Sequence, residues 1–301
     1  MDTRKIEAFT KVFEHNSFSK AGRALFLSQP TISAHVAALE EELGVQLFDR
    51  IGRTVVPTKA GEILYHHAKN IFESSELAIS EIRKLENRVV GKLDIGASTI
   101  PANYLLPKAM AEFYMKYPEV TLDLSIGDTE EIVTMVKGNF LMLGLVGGLV
   151  TSQGLIFLPV LKDSLVLVMA HDLYQKYAHL SLHDLMLTVP WVVREEGSGT
   201  RQAAGTWLNK VGLSFSGLRE AIIVRNAGVL LECVRLGMGA AITSYVTVRS
   251  EIEDGSLVNV DIGHNSIERQ FYIVYNKKRT LLPAAQKLIK HLQHNLTPIK
   301  I

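Results

Sequence analysis

The sequence predicts an α/β protein with an all-α-rich N-terminal part. Three observations carry this reading. Asn16 to Arg50 reads as two short helices and a tight turn running into a basic hairpin, a winged helix-turn-helix. Apolar residues then recur at heptad spacing from Leu64 to Val89, the mark of one long linker helix. From Lys92 onward, strand-like apolar runs alternate with amphipathic helical stretches, the pattern of a mostly parallel sheet covered on both faces.

The first helix of the N-terminal pair is expected from about Ser19, with Ala21, Leu25 and Phe26 facing inward. The second opens at Ser28-Gln29-Pro30. Ser28 is a good N-cap, and proline is tolerated in a first turn because its missing N–H would have no partner there. Ile32, Val36, Leu39 and Leu43 follow at 4-3-4 spacing and define one buried face. Gln29, Thr31, Ser33 and His35 are assigned to the opposite face. They are short or planar hydrogen-bonding groups near a helix N-terminus, of the kind a helix-turn-helix sets against base edges in the major groove. Gly44 is expected as the C-cap, with Leu47 and Phe48 pinning the next turn. Arg50, Arg53 and Lys59 flank a short hairpin through Ile51-Gly52 and Thr54 to Pro57. Its cations can follow phosphates or enter a minor groove, although Arg50 can instead pair with Glu40 or Asp49. Eight Lys/Arg against seven Asp/Glu in the first 60 residues make the module weakly basic, so tight binding is expected to need a dimer or more.

Thr58 reads as the N-cap of a helix that continues to about Arg88. Leu64, Ala68, Ile71, Ser75, Ala78, Ile82, Leu85 and Val89 repeat at 4-3-4-3 spacing, all apolar except Ser75. Such a seam predicts pairing between two chains, and a helix lying along its own domain is the alternative. About thirty helical residues reach about 45 Å. His66 and His67 do not share a helical face, which argues against a metal site.

In the remainder, strands are expected at Leu93–Ala97, Val120–Ile126 and Leu141–Val146, with helices at Tyr104–Tyr117 and Asp128–Lys137 between them. Two strand-like runs, Leu155–Leu161 and Leu165–Ala170, interrupt the pattern. A second set follows: strand Trp191–Glu195, helix Thr200–Val211, strand Ala221–Arg225, helix Ala227–Leu236 and strand Ala240–Thr243. Arg269–Tyr275 reads as a last strand and Leu282–Leu296 as a last helix. Ligands of open α/β sheets sit outside the carboxyl ends of strands. Three such ends carry small hydroxyl or amide residues that open helices: Ser98-Thr99-Ile100, Ser198-Gly199-Thr200-Arg201, and Asn226. With Thr129, these are the candidate effector-binding residues. Free N–H groups and the helix dipole favour an anion there, and Arg201 adds a bidentate cation. Gly197 and Gly199 would let the backbone approach a ligand. Each cap can also be only a cap, and Arg201 can pair with Glu195 or Glu196.

Other functions find little support. Gly197-Ser198-Gly199 is followed by neither Gly-Lys-Ser/Thr nor a sixth-position glycine, so it is neither a phosphate loop nor a dinucleotide fingerprint. Gly237-Met238-Gly239 follows a helix and reads as its C-cap. Ser198 lacks the Gly-x-Ser-x-Gly elbow, and the ten histidines form no metal-binding motif. No catalysis and no metal are expected. A hydrophobic content of 47% and a charged content of 21% are ordinary for a soluble globular protein, and a net charge of +1 says little about partners. The N-terminus lacks the apolar core of a signal peptide, and no run reaches the roughly 18 apolar residues of a membrane span. The one cysteine, Cys233, lies among leucines and valines and reads as a buried, inert thiol. A cytoplasmic setting without membrane contact is expected.

Ser17, Phe18, Ala21, Leu25, Ser28, Gln29, Pro30, Ser33, Leu39, Glu40, Leu43, Gly44, Leu47, Phe48, Arg50, Thr58 and Gly61 stand at fixed spacings over about 45 residues. On these residues the N-terminal part closely resembles the DNA-binding domain of LysR-type transcriptional regulators. WVVREEGSGTR, IGASTIPANYLLP and SQPTISAHVAALE resemble the branches tied to sulfur or selenium metabolism and to carbon fixation, whose members answer to small, often anionic metabolites. Gly22 departs from a more usual alanine and Ala34 from a frequent arginine. Met142 stands where relatives commonly carry aspartate. The resemblance implies a DNA-binding domain over 1–58, a linker and dimerisation helix over 59–90 seamed by Leu64, Ala68, Ile71, Ala78, Ile82 and Leu85, and a regulatory domain over 91–301. The last would comprise two periplasmic-binding-protein-like α/β subdomains, I (91–162 plus 268–301) and II (163–267). The chain would cross between them near Lys162-Asp163 and near Ser266 to Arg269. Implied partners are double-stranded promoter or operator DNA, further copies of the chain as a homodimer or tetramer, and RNA polymerase. No cofactor is implied beyond a small-molecule effector. The alternative is a solute-binding protein whose N-terminal helices have a role other than DNA binding.

Overall fold

The computed structural model describes residues 2–51, 54–84, 89–150, 152–262 and 267–296. The chain divides into two compact units, 1–86 and 87–301.

The first unit contains α1 (Thr3–His15), α2 (Phe18–Ala24), α3 (Gln29–Leu43), the antiparallel strands β1 (Phe48–Ile51) and β2 (Thr54–Pro57), and α4 (Lys59–Lys84). α1 has no counterpart among the expected elements. Asp2 caps it by accepting the Arg4 N–H, and it supplies Ala8, Phe9 and Val12 to a core shared with Phe18, Ala21, Ile32, Val36, Leu39, Leu47 and Phe48. Ser28 caps α3 and Gly44 ends it at φ +67°, as expected. Two residues expected inside are outside. Phe26 is 96% exposed, because the turn between α2 and α3 passes through a left-handed residue there, at φ +55°. The Leu27 N–H then donates to the Gly22 carbonyl at 2.9 Å. A Cβ on Gly22 would lie 2.8 Å from the Leu27 carbonyl oxygen, which accounts for glycine at this position. Leu43, at the end of α3, is also exposed.

Thr58 caps α4, taking the Gly61 N–H on its hydroxyl at 3.1 Å. Two of the six seam residues are already covered within the unit. Ala68 is fully buried and Leu64 packs against the core, because the first turns of α4 lie beside α1. Ile71, Ala78 and Ile82 are exposed. Leu85 lies outside the described residues.

The second unit opens with β3 (Gly91–Ser98), a π-helical turn at Pro101–Leu105, α5 (Leu106–Lys116), β4 (Val120–Gly127), α6 (Thr129–Lys137) and β5 (Leu143–Val146). β6 (Leu155–Ala170) follows, then α7 (His171–Tyr177), α8 (Leu182–Thr188), β7 (Pro190–Arg194), α9 (Gly199–Lys210) and β8 (Arg219–Val224). The chain continues through α10 (Ala227–Arg235), β9 (Ala241–Ser244), α11 (Tyr245–Glu253), β10 (Leu257–Val260), β11 (Ile267–Asn276) and α12 (Pro283–Asn295). The two runs expected around residues 155–170 form one 16-residue strand, β6. It pairs antiparallel with β11 from Leu155↔Asn276 to Leu165↔Ile267, with a register shift between Phe271 and Tyr272. These two strands run through both halves. In the first half, β3 pairs parallel with β4 and β5, and β11 closes antiparallel onto β5. In the second, β6 pairs antiparallel with β9 and β10, and β7 pairs parallel with β8.

Burial on both faces explains the continuous apolar strands. Leu165, Leu167 and Met169 of β6 join Trp191, Trp207 and Leu208 on one side. Val166, Val168 and Ala170 join Leu230 and Val234 on the other. Met142, in place of the usual aspartate, is buried and donates its N–H to the Asp94 carbonyl at 2.7 Å. Cys233, expected to be buried, is partly exposed beside the α10 core.

Candidate functional site

The ends of β3, β4 and β7 and the N-termini of α6 and α9 meet around a small pocket. Ser98, Thr99 and Ile100 line it after β3, Asp128 and Thr129 at the start of α6, and Ser198, Gly199 and Thr200 at the start of α9. Seven of the nine residues expected at this site are thus brought together. Asp128 caps α6 by accepting the Glu131 N–H at 2.8 Å, and Ser198 caps α9 by accepting the Thr200 N–H at 3.2 Å.

Two expected residues lie elsewhere. Arg201 turns away from the pocket. Its guanidinium donates to the Arg194 carbonyl at 2.8 Å and to Glu220 Oε1 at 3.0 Å, and it stacks 4.3 Å from the centre of the Phe215 ring. It sits two residues past the helix start, on the flank that faces β8. Asn226 spends its carbonyl oxygen on the N–H groups of Gly228 and Val229, and it acts as the cap of α10.

The pocket cations are Arg194 and Arg269. Arg194 is buried and paired bidentately with Glu195, at 2.8 and 2.6 Å. Arg269 projects from the second crossing strand. Its Nε donates to Asp163 Oδ2 at 2.6 Å, and its Nη1 donates to the Thr200 hydroxyl at 2.8 Å. Asp163 also takes the Ser244 hydroxyl at 2.6 Å. Arg269 Nη2 is buried and has no hydrogen-bond partner among the described residues. Burial pushes the Arg269 guanidinium down from its ordinary value, against the opposing pull of Asp163. Nothing in the sequence pattern around Arg269 marks it as a site residue. The one usable clue is that a crossing between subdomains is expected there.

Gly197 and Gly199 bring protein to protein here. A Cβ on Gly199 would strike the Gly147 carbonyl oxygen, and one on Gly197 would lie 2.5 Å from Asp128 Oδ2. Gln202 Nε2 donates to the Leu149 carbonyl at 3.4 Å. The two halves of the second unit are therefore closed on each other around the pocket.

On α3, the most exposed strip runs through Gln29, Pro30, Ala34, Ala37 and Glu41, with Thr31, Ser33 and His35 half-buried on its flanks. The expected face is therefore rotated: Thr31, Ser33 and His35 border the strip and do not centre it. Ser28 and Thr31 hydroxyls share a hydrogen bond of 2.8 Å. Arg50 is on β1, Arg53 lies outside the described residues, and Lys59 starts α4, exposed and bonded to Glu62 at 2.8 Å. That bond raises the Lys59 pKa.

This architecture is that of a DNA-binding module followed by a two-lobed small-molecule-binding domain. Residues 3–62 match the family model for the bacterial regulatory helix-turn-helix protein, lysR family, and residues 86–297 match the LysR substrate binding domain. The chain is 33% identical over 287 residues to a RuBisCO operon transcriptional regulator of Allochromatium vinosum, covering 94% of this chain and 92% of that one. It is 33% identical over 276 residues to the HTH-type transcriptional regulator CysL of Bacillus subtilis, covering 90% of each. Full-length CbnR in complex with its target DNA has the same fold, at TM-score 0.66 and 21% identity, over 98% of this chain and 99% of that one. The chain belongs to the LysR family of transcriptional regulators. It is a DNA-binding regulator whose substrate-binding domain takes small-molecule effectors, and the solute-binding alternative is not favoured. Among the described residues, no helix is long and apolar enough to cross a membrane.

Proposed function

We propose that this regulator senses a small anion in the pocket between the two halves of its second unit. The observation that supports this is Arg269 Nη2, a buried guanidinium donor with no partner among the described residues, beside the Thr99, Ser198 and Thr200 hydroxyls. An unused charged donor in a closed pocket costs free energy until an acceptor arrives. An anion supplies that acceptor and favours the closed state, which shifts the association of chains and the geometry of bound DNA. Every step uses differences in binding, so the protein performs no chemistry and needs no cofactor. Ile71, Ala78 and Ile82 of α4 pair two chains, and dimers associate into tetramers. Thr31, Ser33 and Gln29 read base edges, while Arg50, Arg53 and Lys59 hold phosphates. The protein works in the cytoplasm and contacts RNA polymerase at the promoter.

The test is a thermal-shift titration of the full chain with small oxyanions. An anion bound only by the native state at 100 times its Kd stabilises by about 2.7 kcal/mol. Arg269→Met with Asp163→Asn removes the pair without stranding a buried charge, and it is expected to abolish the shift while the protein remains folded. A shift that survives in this double variant moves the anion elsewhere.

A further inference from the structure

The pocket is lined by more than donors. Asp128 stands on its wall; its Oδ1 accepts the Glu131 N–H, and its Oδ2 has Gly197 close by, where an added Cβ would lie 2.5 Å away. A carboxylate only accepts hydrogen bonds. Both pocket arginines already carry their own carboxylates, Glu195 on Arg194 and Asp163 on Arg269, each within 2.6 Å. With Asp128 added, these five groups sum to one negative charge. The adjoining space, which shares Thr129 and Ser198, has Glu130 and Glu196 exposed on its rim. The site therefore offers directed donors without an excess of positive charge.

Resting on the anion reading above, we infer that the pocket selects a monovalent oxyanion that still carries a proton, of the hydrogencarbonate or dihydrogenphosphate kind. Its bare oxygens face Arg269 Nη2 and the hydroxyls, and its O–H donates to Asp128. A fully deprotonated dianion such as sulfate has no proton to offer. It would set a lone pair against the Asp128 carboxylate in a closed, poorly hydrated space, where like charges repel strongly. Net charge excludes the second negative charge, and Asp128 requires the proton.

Calorimetric titrations of the full chain with sodium hydrogencarbonate, inorganic phosphate and sodium sulfate, at matched ionic strength, test this. Hydrogencarbonate or phosphate is expected to bind at least tenfold more tightly than sulfate. In Asp128→Asn the order is expected to fall or reverse, with sulfate gaining tenfold or more, because the amide can donate where the carboxylate cannot. Asparagine is also a good N-cap, so α6 keeps its start. The wild-type preference is read independently of any variant. Sulfate bound as tightly as the protonated anions, and released by the Arg269→Met, Asp163→Asn pair, would overturn the proton requirement while leaving the anion site standing. No binding by any of the three would overturn both.

Discussion

Arg201 and Arg269 exchange the roles that position in the sequence suggests. Arg201 follows a glycine-flanked strand end, yet it is held by Glu220, Phe215 and a backbone carbonyl. Arg201→Ala is expected to leave anion binding within twofold of wild type and to cost about 1 kcal/mol or less, since its ion pair is partly exposed. Replacing Arg269 alone strands Asp163 in a buried setting and is expected to cost about 3–5 kcal/mol. Thermal melts of the two single variants check both figures, and equal effects would contradict the assignment. Gly199 can be tested in the same way. A Cβ there strikes Gly147, so Gly199→Ala is expected to hold the lobes apart and weaken anion binding at least tenfold, with each lobe still folded. Unaltered affinity in this variant would show that closure does not matter to binding. These roles depend on side-chain direction at residues two or seventy positions from the motif, which spacing along one strand end does not encode.

Elements are legible in the sequence wherever a pattern runs long enough to repeat. α3 agrees with expectation because Ser28, Ile32, Val36, Leu39 and Gly44 supply a cap, a face and a stop. α7 and α8 have seven residues each, too few turns for a 3.6-residue period to declare itself. The residues between β6's two apolar runs include Lys162 and Asp163, and Asp163 stays in the strand because Arg269 neutralises it across the pair. In α4 the heptad spacing marks the helix, but α1 covers its first turns, so the part free for a partner begins near Ile71. Ile71→Asp is expected to convert the dimer to a monomer in light scattering, with little change in the melting of the chain's own core. A dimer that persists would refer pairing to another surface. On α3, Thr31→Ala with Ser33→Ala is expected to weaken specific operator binding by about 1–3 kcal/mol for each base edge no longer read. Full affinity in a salt-controlled binding assay would place readout on the Pro30 and Ala34 strip instead.

At the scale of the whole molecule, order along the chain is readable from sequence and order in space is less so. Alternation of strands and helices announces two α/β halves, and the family resemblance supplies their crossing points. The close approach of Gly197 and Gly199 to Asp128 and Gly147 is not readable, because it joins residues separated by about 50 to 70 positions. The same long separations bear on how the chain is made. β11 is the last strand to leave the ribosome, yet it pairs with β5 and lies along most of β6. Contacts that close such long loops form late. Until residue 276 has emerged, β5 keeps an open edge and the first half of β6 has no neighbour. The nascent protein must therefore pass through a stage with bare apolar strand edges, a hazard for aggregation. A chain stopped before residue 267 is expected to be insoluble, and it also lacks Arg269, the pocket cation that β11 carries.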